Sequence, residues 1–479
     1  MIRLSATMLA LLLLVQDPDP ATDYKTRLEQ VKKTTAVKHV SCASYLASKD
    51  MHKWARDEFN KAIASDPDNE QARRGLGDKR SDDGTGWEVD PAAKIRSANE
   101  VKKEDEIIKV KTEYEKKLGD LGKSISSEWS AIGNAAEKAG LKAEAEAAFK
   151  KAIEYNANNE SARKKLGYEK SKEGGWVSAA DKALRAQLVD GIAKAPQGAE
   201  DKGTSETAGK IGGTMQRRGS EHFIIESTYL DQKSLGTLVQ HAEHAYAMFH
   251  KMFNQKELFG SEKYVMVLLK DRSEHQKYVD AFYTGDATRK TFTRDKCAGM
   301  GGFPKSESFN DQRGEPANMD YVIHYPVQGM VGNVAGHGAL WLLEGMSLWF
   351  TAKMKQTSAW ACVDLAGTGT GNSGKNYQDP KNWPFVIKTW IKEGKDPAIE
   401  GLIKCANWAE LDGAETVKAW SICDFLIAEQ REKFIDFMQV LKSDKDSGES
   451  AFNRVFGWSL ADLDARWKGW ARTTYESAK

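Results

Sequence analysis

The sequence predicts an α+β protein in two parts, and three observations carry that prediction. Residues 24–194 hold a helical pattern that repeats at a fixed offset. Residues 195–219, APQGAEDKGTSETAGKIGGTMQRRG, switch to Gly, Ser, Thr, Ala and charge with no apolar period, which reads as a linker. Beyond it, over 220–475, apolar strand-like runs alternate with amphipathic helices and give way to a helical tail, so a small sheet is expected there.

The repeat comes first along the chain. WARDEFNKAIASDPDNEQARRGLGDKRSDDGTGW (54–87) matches AEAAFKKAIEYNANNESARKKLGYEKSKEGGW (145–176). Phe59, Ala62, Ile63, Asn69, Ala72, Arg73, Leu76 and Gly77 align with Phe149, Ala152, Ile153, Asn159, Ala162, Arg163, Leu166 and Gly167, an offset of ninety residues throughout. Apolar positions three and four apart, a polar turn at PDN or ANN and a second short helix make each copy a helix-turn-helix unit. Between the copies, roughly 91–140 is a charged helical stretch, read as a spacer or as hiding weaker units. After the linker, HFIIEST and KYVMVLLKD read as strands. KSLGTLVQHAEHAYAMFHKMF and SEHQKYVDAFY read as helices, CAGMGGF as a further short strand, and the chain beyond 380 as mostly helical.

Bulk composition bounds the function. At 479 residues and 40% hydrophobic content, the chain is long enough for two or three cored domains. Its 70 basic and 69 acidic residues are interleaved, so no single-sign field exists to attract nucleic acid or an anionic membrane. Arg3 precedes an apolar run from Ala6 to Val15, followed by QDPDPATD. A run of ten residues, apolar but for Thr7, suits a signal peptide, assigned to 1–16, and is too short to span a bilayer. The expected location is therefore the periplasm, the cell envelope or the medium; the alternative is a retained N-terminal helix. No later segment is long and apolar enough to cross a membrane. Cys42, Cys297, Cys362, Cys405 and Cys423 show no C-x-x-C spacing, so a thiolate zinc site is not indicated. After export they could form up to two disulfides, whose pairing the sequence leaves open.

The repeat, A-x-x-x-F-x-x-A-I followed by a D-P-x-N-type turn, resembles tetratricopeptide repeats, which implies a protein-docking surface. Residues 319–350, MDYVIHYPVQGMVGNVAGHGALWLLEGMSLWF, contain WLLEGMSLWF, and the chain ends in FGWSLADLDARWKGW. With the order of strands and helices over 220–475, these pieces resemble the peptidase MA-like group of gluzincin metallopeptidases. The resemblance implies a zincin-like domain whose zinc is held by the two histidines of His-Glu-x-x-His and a downstream glutamate.

On this sequence the motif reads HYPVQ. His324 takes the first histidine position, Tyr325 that of the general base, Gln328 that of the second histidine and Glu344 that of the downstream glutamate. A phenol with an ordinary pKa near 10 cannot take a proton from zinc-bound water at neutral pH. A glutamine carbonyl is a poor substitute for imidazole at zinc. Pro326 costs about 3 kcal/mol inside a helix, so the helix is expected to begin near Pro326 with His324 outside it. No catalytic residue, metal or cofactor is therefore expected. The remaining route to zinc is a remodelled site using His337 with His324 and Glu344. Without metal, Glu344 caps a helix or pairs with a neighbour. His241, His244 and His250 read as solvated helix-face residues, and GTGNSGKN (369–376) lacks the Ser or Thr and the helix that a phosphate-binding loop needs. Tyr325, Trp341, Trp349 and Phe350 are the expected lining of a retained cleft. The expected function is an exported, catalytically inactive binding or scaffolding module that meets a protein or peptide through the repeats or the cleft. The alternatives are a zinc hydrolase with a remodelled site and a purely structural repeat protein.

Overall fold

The ninety-residue repeat reappears as a repeated order of elements. A computed structural model describes residues 20–93, 104–170, 176–255, 258–259, 262–302, 304–310, 315–355, 380–406, 408, 411, 413–443 and 448–475. The expected signal peptide and the 369–376 stretch lie outside the described residues. The first copy runs α1 (Pro20–Ala47), α2 (His52–Ser65), α3 (Glu70–Leu76), β1 (Asp78–Arg80) and β2 (Trp87–Val89). The second runs α4 (Glu104–Lys138), α5 (Lys142–Tyr155), α6 (Glu160–Lys165), β3 (Tyr168–Lys170) and β4 (Trp176–Ser178). The charged stretch at 91–140 is thus largely α4, which packs on α1 and α5 as the opening helix of the second copy, not a spacer. The conserved turn chemistry has a local cause in both copies. Asn69 Oδ1 accepts from the Ala72 amide at 3.1 Å and Asn159 Oδ1 from the Ala162 amide at 3.0 Å, each capping its short helix. Gly77, at φ 90°, supplies the left-handed residue that ends α3 and turns the chain into the hairpin.

The chain divides into two compact units between Leu166 and Gly167. In the first, the copies fill one equivalent interior position with opposite chemistry. Glu58, fully buried, meets His39 Nδ1 at 2.7 Å, the Tyr114 hydroxyl at 2.9 Å and Lys61 Nζ at 2.6 Å. Burial raises its pKa, but the Lys61 charge and the His39 hydrogen bond outweigh that and hold it at about 2. Ninety residues on, Ala148 and Trp129 stand at these positions and pack in an apolar cluster with Val31 and Ile132.

The second unit, Gly167–Lys479, holds a six-stranded sheet. After β3, β4 and α7 (Ala179–Asp190) come β5 (Ala199–Glu200), α8 (Glu206–Ile211), β6 (Gln216–Gly219) and β7 (Phe223–Ser227). Next are α9 (Gln232–Phe253), β8 (Tyr264–Leu269), α10 (Arg272–Phe282), α11 (Ala287–Lys296), β9 (Gly299–Met300) and β10 (Lys305–Phe309). The strand order is β5-β6-β7-β8-β10-β9, with β7, β8 and β10 parallel and the outer strands antiparallel. The expected linker, 195–219, is thereby corrected: it supplies two strands and a helix. Its polar composition hides this because side-chain bonds hold much of it, with Ile211 and Met215 packing on the cluster of Val267, Leu269, Tyr278 and Phe309. Arg218 donates to the carbonyls of Gln197 (2.6 Å), Gly198 (3.0 Å) and Gln232 (3.3 Å), and Arg217 pairs with Asp201 and Glu226.

Helices α12 (Glu315–Ala335), α13 (Leu340–Lys355), α14 (Trp383–Glu393), α15 (Ile399–Ile403), α16 (Gly413–Ser443), α17 (Glu449–Phe456) and α18 (Leu460–Thr474) complete the unit. Among the described residues no helix is long and apolar enough to cross a membrane. The terminal motif packs α18 on α16, with Trp458, Leu463, Trp467 and Trp470 buried. Ser459 and Asp462 form a reciprocal cap at its start. Lys418 of α16, wholly buried, donates to Asp396 (2.8 Å), Asp464 (3.0 Å) and the Pro397 carbonyl (2.6 Å).

Two outcomes follow from these buried charges. Glu58 has a depressed pKa, so its stabilisation is present above about pH 4.5 and is lost as pH falls toward 2. Chemical denaturation of Glu58→Gln should show a loss of up to about 3 kcal/mol at pH 7 that shrinks in acid. Lys418→Met leaves Asp396 and Asp464 answered by Lys468 alone, at 3.3 and 2.8 Å, and should cost about 1.5–3 kcal/mol in the same measurement.

Candidate functional site

Helices α12 and α13 form an antiparallel hairpin whose inner faces are buried almost throughout. The turn between them uses Gly336 at φ 82°. Beyond it, Gly345 lets α13 approach α16 closely: a Cβ there would lie 2.7 Å from the Ala419 carbonyl oxygen and 2.8 Å from Cys423 Sγ. Glu344, beside that glycine, is directed inward and has no solvent exposure.

Pro326 does not start the helix. Helix α12 begins at Glu315 and runs through the proline, so His324 lies inside it, which corrects the expectation from sequence. The proline cost of about 3 kcal/mol is outweighed by packing. Tyr321, Val322, Ile323, Val327, Met330 and Val331 are wholly buried around it, at about 1.5–3 kcal/mol for each such side chain. Helical spacing therefore survives, and His324 and Gln328 share a face at i and i+4.

That face meets Glu344. His324 Nε2 lies 3.3 Å from Glu344 Oε2, and Gln328 Nε2 lies 3.2 Å from His324 Nε2 and 3.0 Å from Glu344 Oε2. One amide nitrogen thus faces an imidazole nitrogen and a carboxylate oxygen at once. Its N–H bonds reach the Glu344 carboxylate and, in the tautomer that leaves Nε2 unprotonated, the His324 ring, supplying positive hydrogens where a cation would otherwise sit. A zinc ion needs lone pairs from all three side chains. Here one of the three is a donor aimed at the other two, so these residues do not fit zinc. Glu344 pairs with its neighbours, one of the two roles the sequence allowed it.

His337 does not join them. It is exposed, and its ring covers Gly332, where a Cβ would lie 2.2 Å from His337 Cε1. Gly332 is eight residues beyond His324, about 12 Å along the helix. The remodelled set His324, His337 and Glu344 is not assembled. Among the described residues no three His, Cys, Asp or Glu side chains converge as a metal-binding group.

The expected cleft lining is also corrected, because all four aromatics are buried. Tyr325 packs edge-on to Tyr321 (centroids 5.2 Å apart) and against the backbone at Gly301, where a Cβ would sit 2.4 Å from its ring. Trp341 lies in a cluster with Phe437 and Phe452, and Phe350 stacks on Phe249. Trp349 donates its indole N–H to Asp424 at 2.8 Å, and Lys353 pairs with the same carboxylate at 2.9 Å. Burial pushes the Asp424 pKa up, but Lys353 and Arg185 reverse the direction and leave it below the usual carboxylate value.

Compared with models of protein families and with the sequences of curated proteins, the chain matches none.

His241 and His244, expected to be solvated, are buried. His241 Nδ1 donates to the Thr237 carbonyl (2.8 Å) while Nε2 accepts from Lys355 (3.3 Å), and His244 Nε2 donates to the carbonyls of Gln187 and Leu188. Burial lowers both pKa values and keeps both rings neutral at pH 7. The sequence reading also missed the buried pair His275 and Glu307, 2.8 Å apart. A signal was present: His275, Tyr278, Val279 and Phe282 fall at i, i+3, i+4 and i+7, so this histidine sits on an apolar face and must find partners inside.

Replacing Gln328 with Met keeps the volume and removes the donor. Glu344 then loses one of its donors, and thermal denaturation should report a loss of about 1–3 kcal/mol.

Proposed function

We propose that this chain is an exported, catalytically inactive protein related to gluzincin metallopeptidases, which acts as a binding or scaffolding module in the cell envelope. The observation that carries the reading is the His324–Gln328–Glu344 trio. It keeps the helical spacing and the two-helix geometry of a metallopeptidase centre, while an amide donor stands where a third lone pair is required. The position of the general base holds Tyr325, whose ring is packed against Gly301. The apolar run in residues 1–16 supports export, and the near-zero net charge argues against a nucleic-acid partner.

The burial of Tyr325, Trp341, Trp349 and Phe350 favours docking through the tetratricopeptide-like helices of the first unit over docking in a cleft of the second. The same burial supports a second reading, in which both units are purely structural and serve assembly.

Metal analysis of the purified protein, beside a His324→Ala/Glu344→Ala variant, tests the proposal. No bound zinc is expected in either. Stoichiometric zinc in the native protein that disappears in the variant would overturn the proposal in favour of a hydrolase. A gain-of-metal experiment sharpens the test. Gln328→His exchanges the donor for a lone pair at an unchanged helical position and should take up zinc, and adding Tyr325→Glu restores the general base. A Gln328→His protein that folds and binds no zinc would mean that the trio never corresponded to a metal centre.

A further inference from the structure

A second buried polar cluster lies on the opposite face of the sheet. Register sets Arg217, Glu226, Val267, Glu307 and Met300 in one row across β6, β7, β8, β10 and β9, so these side chains share a face. Ser306, next to Glu307, points the other way and receives the Tyr321 hydroxyl of α12. On the Glu307 face, His275 of α10 bridges two acceptors. Its Nδ1 lies 2.8 Å from Glu307 Oε2 and its Nε2 lies 3.0 Å from the Thr293 carbonyl of α11, with His275 and Glu307 wholly excluded from solvent.

This bond is the interior attachment of α11, a helix on which Thr293 is the buried residue. Its other ties are peripheral: Gln276 to Asp295 (3.1 Å), Lys290 and Arg294 to Asp280, and Arg272 to the Cys297 carbonyl at its end. Cys297 leads directly into the edge strand β9, and Gly301 after it lies on the Tyr325 ring.

We propose that His275 and Glu307 form a proton-operated latch that pins α11 to the sheet and loosens α11 and the β9 edge when the pair loses a proton. Proton counting gives the mechanism. Two hydrogen bonds, to Thr293 and within the pair, need two protons on the pair. An imidazolium with a carboxylate supplies two, and so does a neutral imidazole with a protonated Glu307. With one proton gone, a neutral imidazole faces a carboxylate and a carbonyl and can donate to only one of them. The other acceptor is left buried and unanswered.

The surroundings favour the protonated pair. Burial works against the imidazolium, but the hydrogen bond and charge of Glu307 and the Thr293 carbonyl overcome it and hold the His275 pKa above its ordinary value. Burial also raises the Glu307 pKa. Sharing the Glu307 face are Arg272 and Tyr278 from α10, Asp295 from α11, Arg217 from β6, Glu226 from β7 and Lys305 from β10, while Tyr321 of α12 lies across the sheet; the Arg272 charge opposes the imidazolium. A raised folded-state pKa means the stabilisation is complete below the unfolded histidine value near 6.5 and is lost as pH climbs through the folded value. The latch is therefore closed in acid and opens on the alkaline side.

Hydrogen exchange read by mass spectrometry on the full chain, corrected for intrinsic rate, tests this between about pH 6 and about pH 9. Peptides covering 287–300 should lose protection about tenfold on going alkaline, while peptides in α16 hold theirs. In Glu307→Gln the amide donates to Nδ1 and a neutral imidazole donates to Thr293, so protection over 287–300 should be the same at both ends of the range. Unchanged protection in the native protein, or an equal loss in Glu307→Gln, would overturn the latch. Should the variant fail to fold, an NMR titration of His275 in the native protein decides. Its midpoint must coincide with that of the protection loss, and a separate midpoint removes the proposal.

Discussion

Burial of the α12–α13 hairpin is the constraint on which the second unit depends. Both helices are enclosed along most of their length, so each polar group on an inner face must find its partner within the protein or leave an uncompensated charge. His324, Gln328 and Glu344 meet that demand in part through one another. The same enclosure keeps α12 helical through Pro326, because the apolar side chains on either side of the proline gain more from packing than the backbone loses there. Helical spacing, the polar trio and the closure of Tyr325 over Gly301 thus have one cause.

The same rule organises the rest of the interior. Glu58 is answered by a histidine, a lysine and a tyrosine. Lys418 is answered by two aspartates and a carbonyl, and it lies over the Trp467 ring. In each case a buried charge joins segments distant in sequence, and each element it ties becomes part of one cooperative body. Residues 195–219 belong to that pattern, since Arg217 and Arg218 fasten an otherwise featureless stretch to the sheet.

Much of this was legible in the sequence, and the gaps have physical reasons. The apolar strands β7 and β8 and the amphipathic helices α9 and α10 announce themselves by period. The strand β10, KSESF, does not, because its buried positions include Ser306 and Glu307, whose partners are remote in sequence. The composition of 195–219 suggested a linker because ion pairs between distant residues leave no local trace. At the site, the exchanged residue types at 325 and 328 were plain to read. The persistence of helical geometry was not, because local propensity at Pro326 points the other way and tertiary burial prevails. His337 and the four aromatics were placed by neighbourhood in sequence, which says nothing about direction. The hairpins that close each repeat copy were missed because three-residue strands fall below any useful window.

The unequal interiors of the two repeat copies bear on how the first unit avoids misassembly. Helices α2 and α5 are alike enough in sequence for each to compete for the other's place while the chain is folding. Were α5 to dock on α1, Ala148 would stand opposite His39 and the imidazole would lose its carboxylate. Were α2 to dock on α4 in the place of α5, Glu58 would face the Trp129 ring, keeping Lys61 of its own helix but losing His39. Either exchange separates the buried His39–Glu58 pair and costs each of them a hydrogen-bond partner. The divergence at this one equivalent position therefore acts as a proofreading device, letting two hairpins built on one pattern share a chain without trading partners.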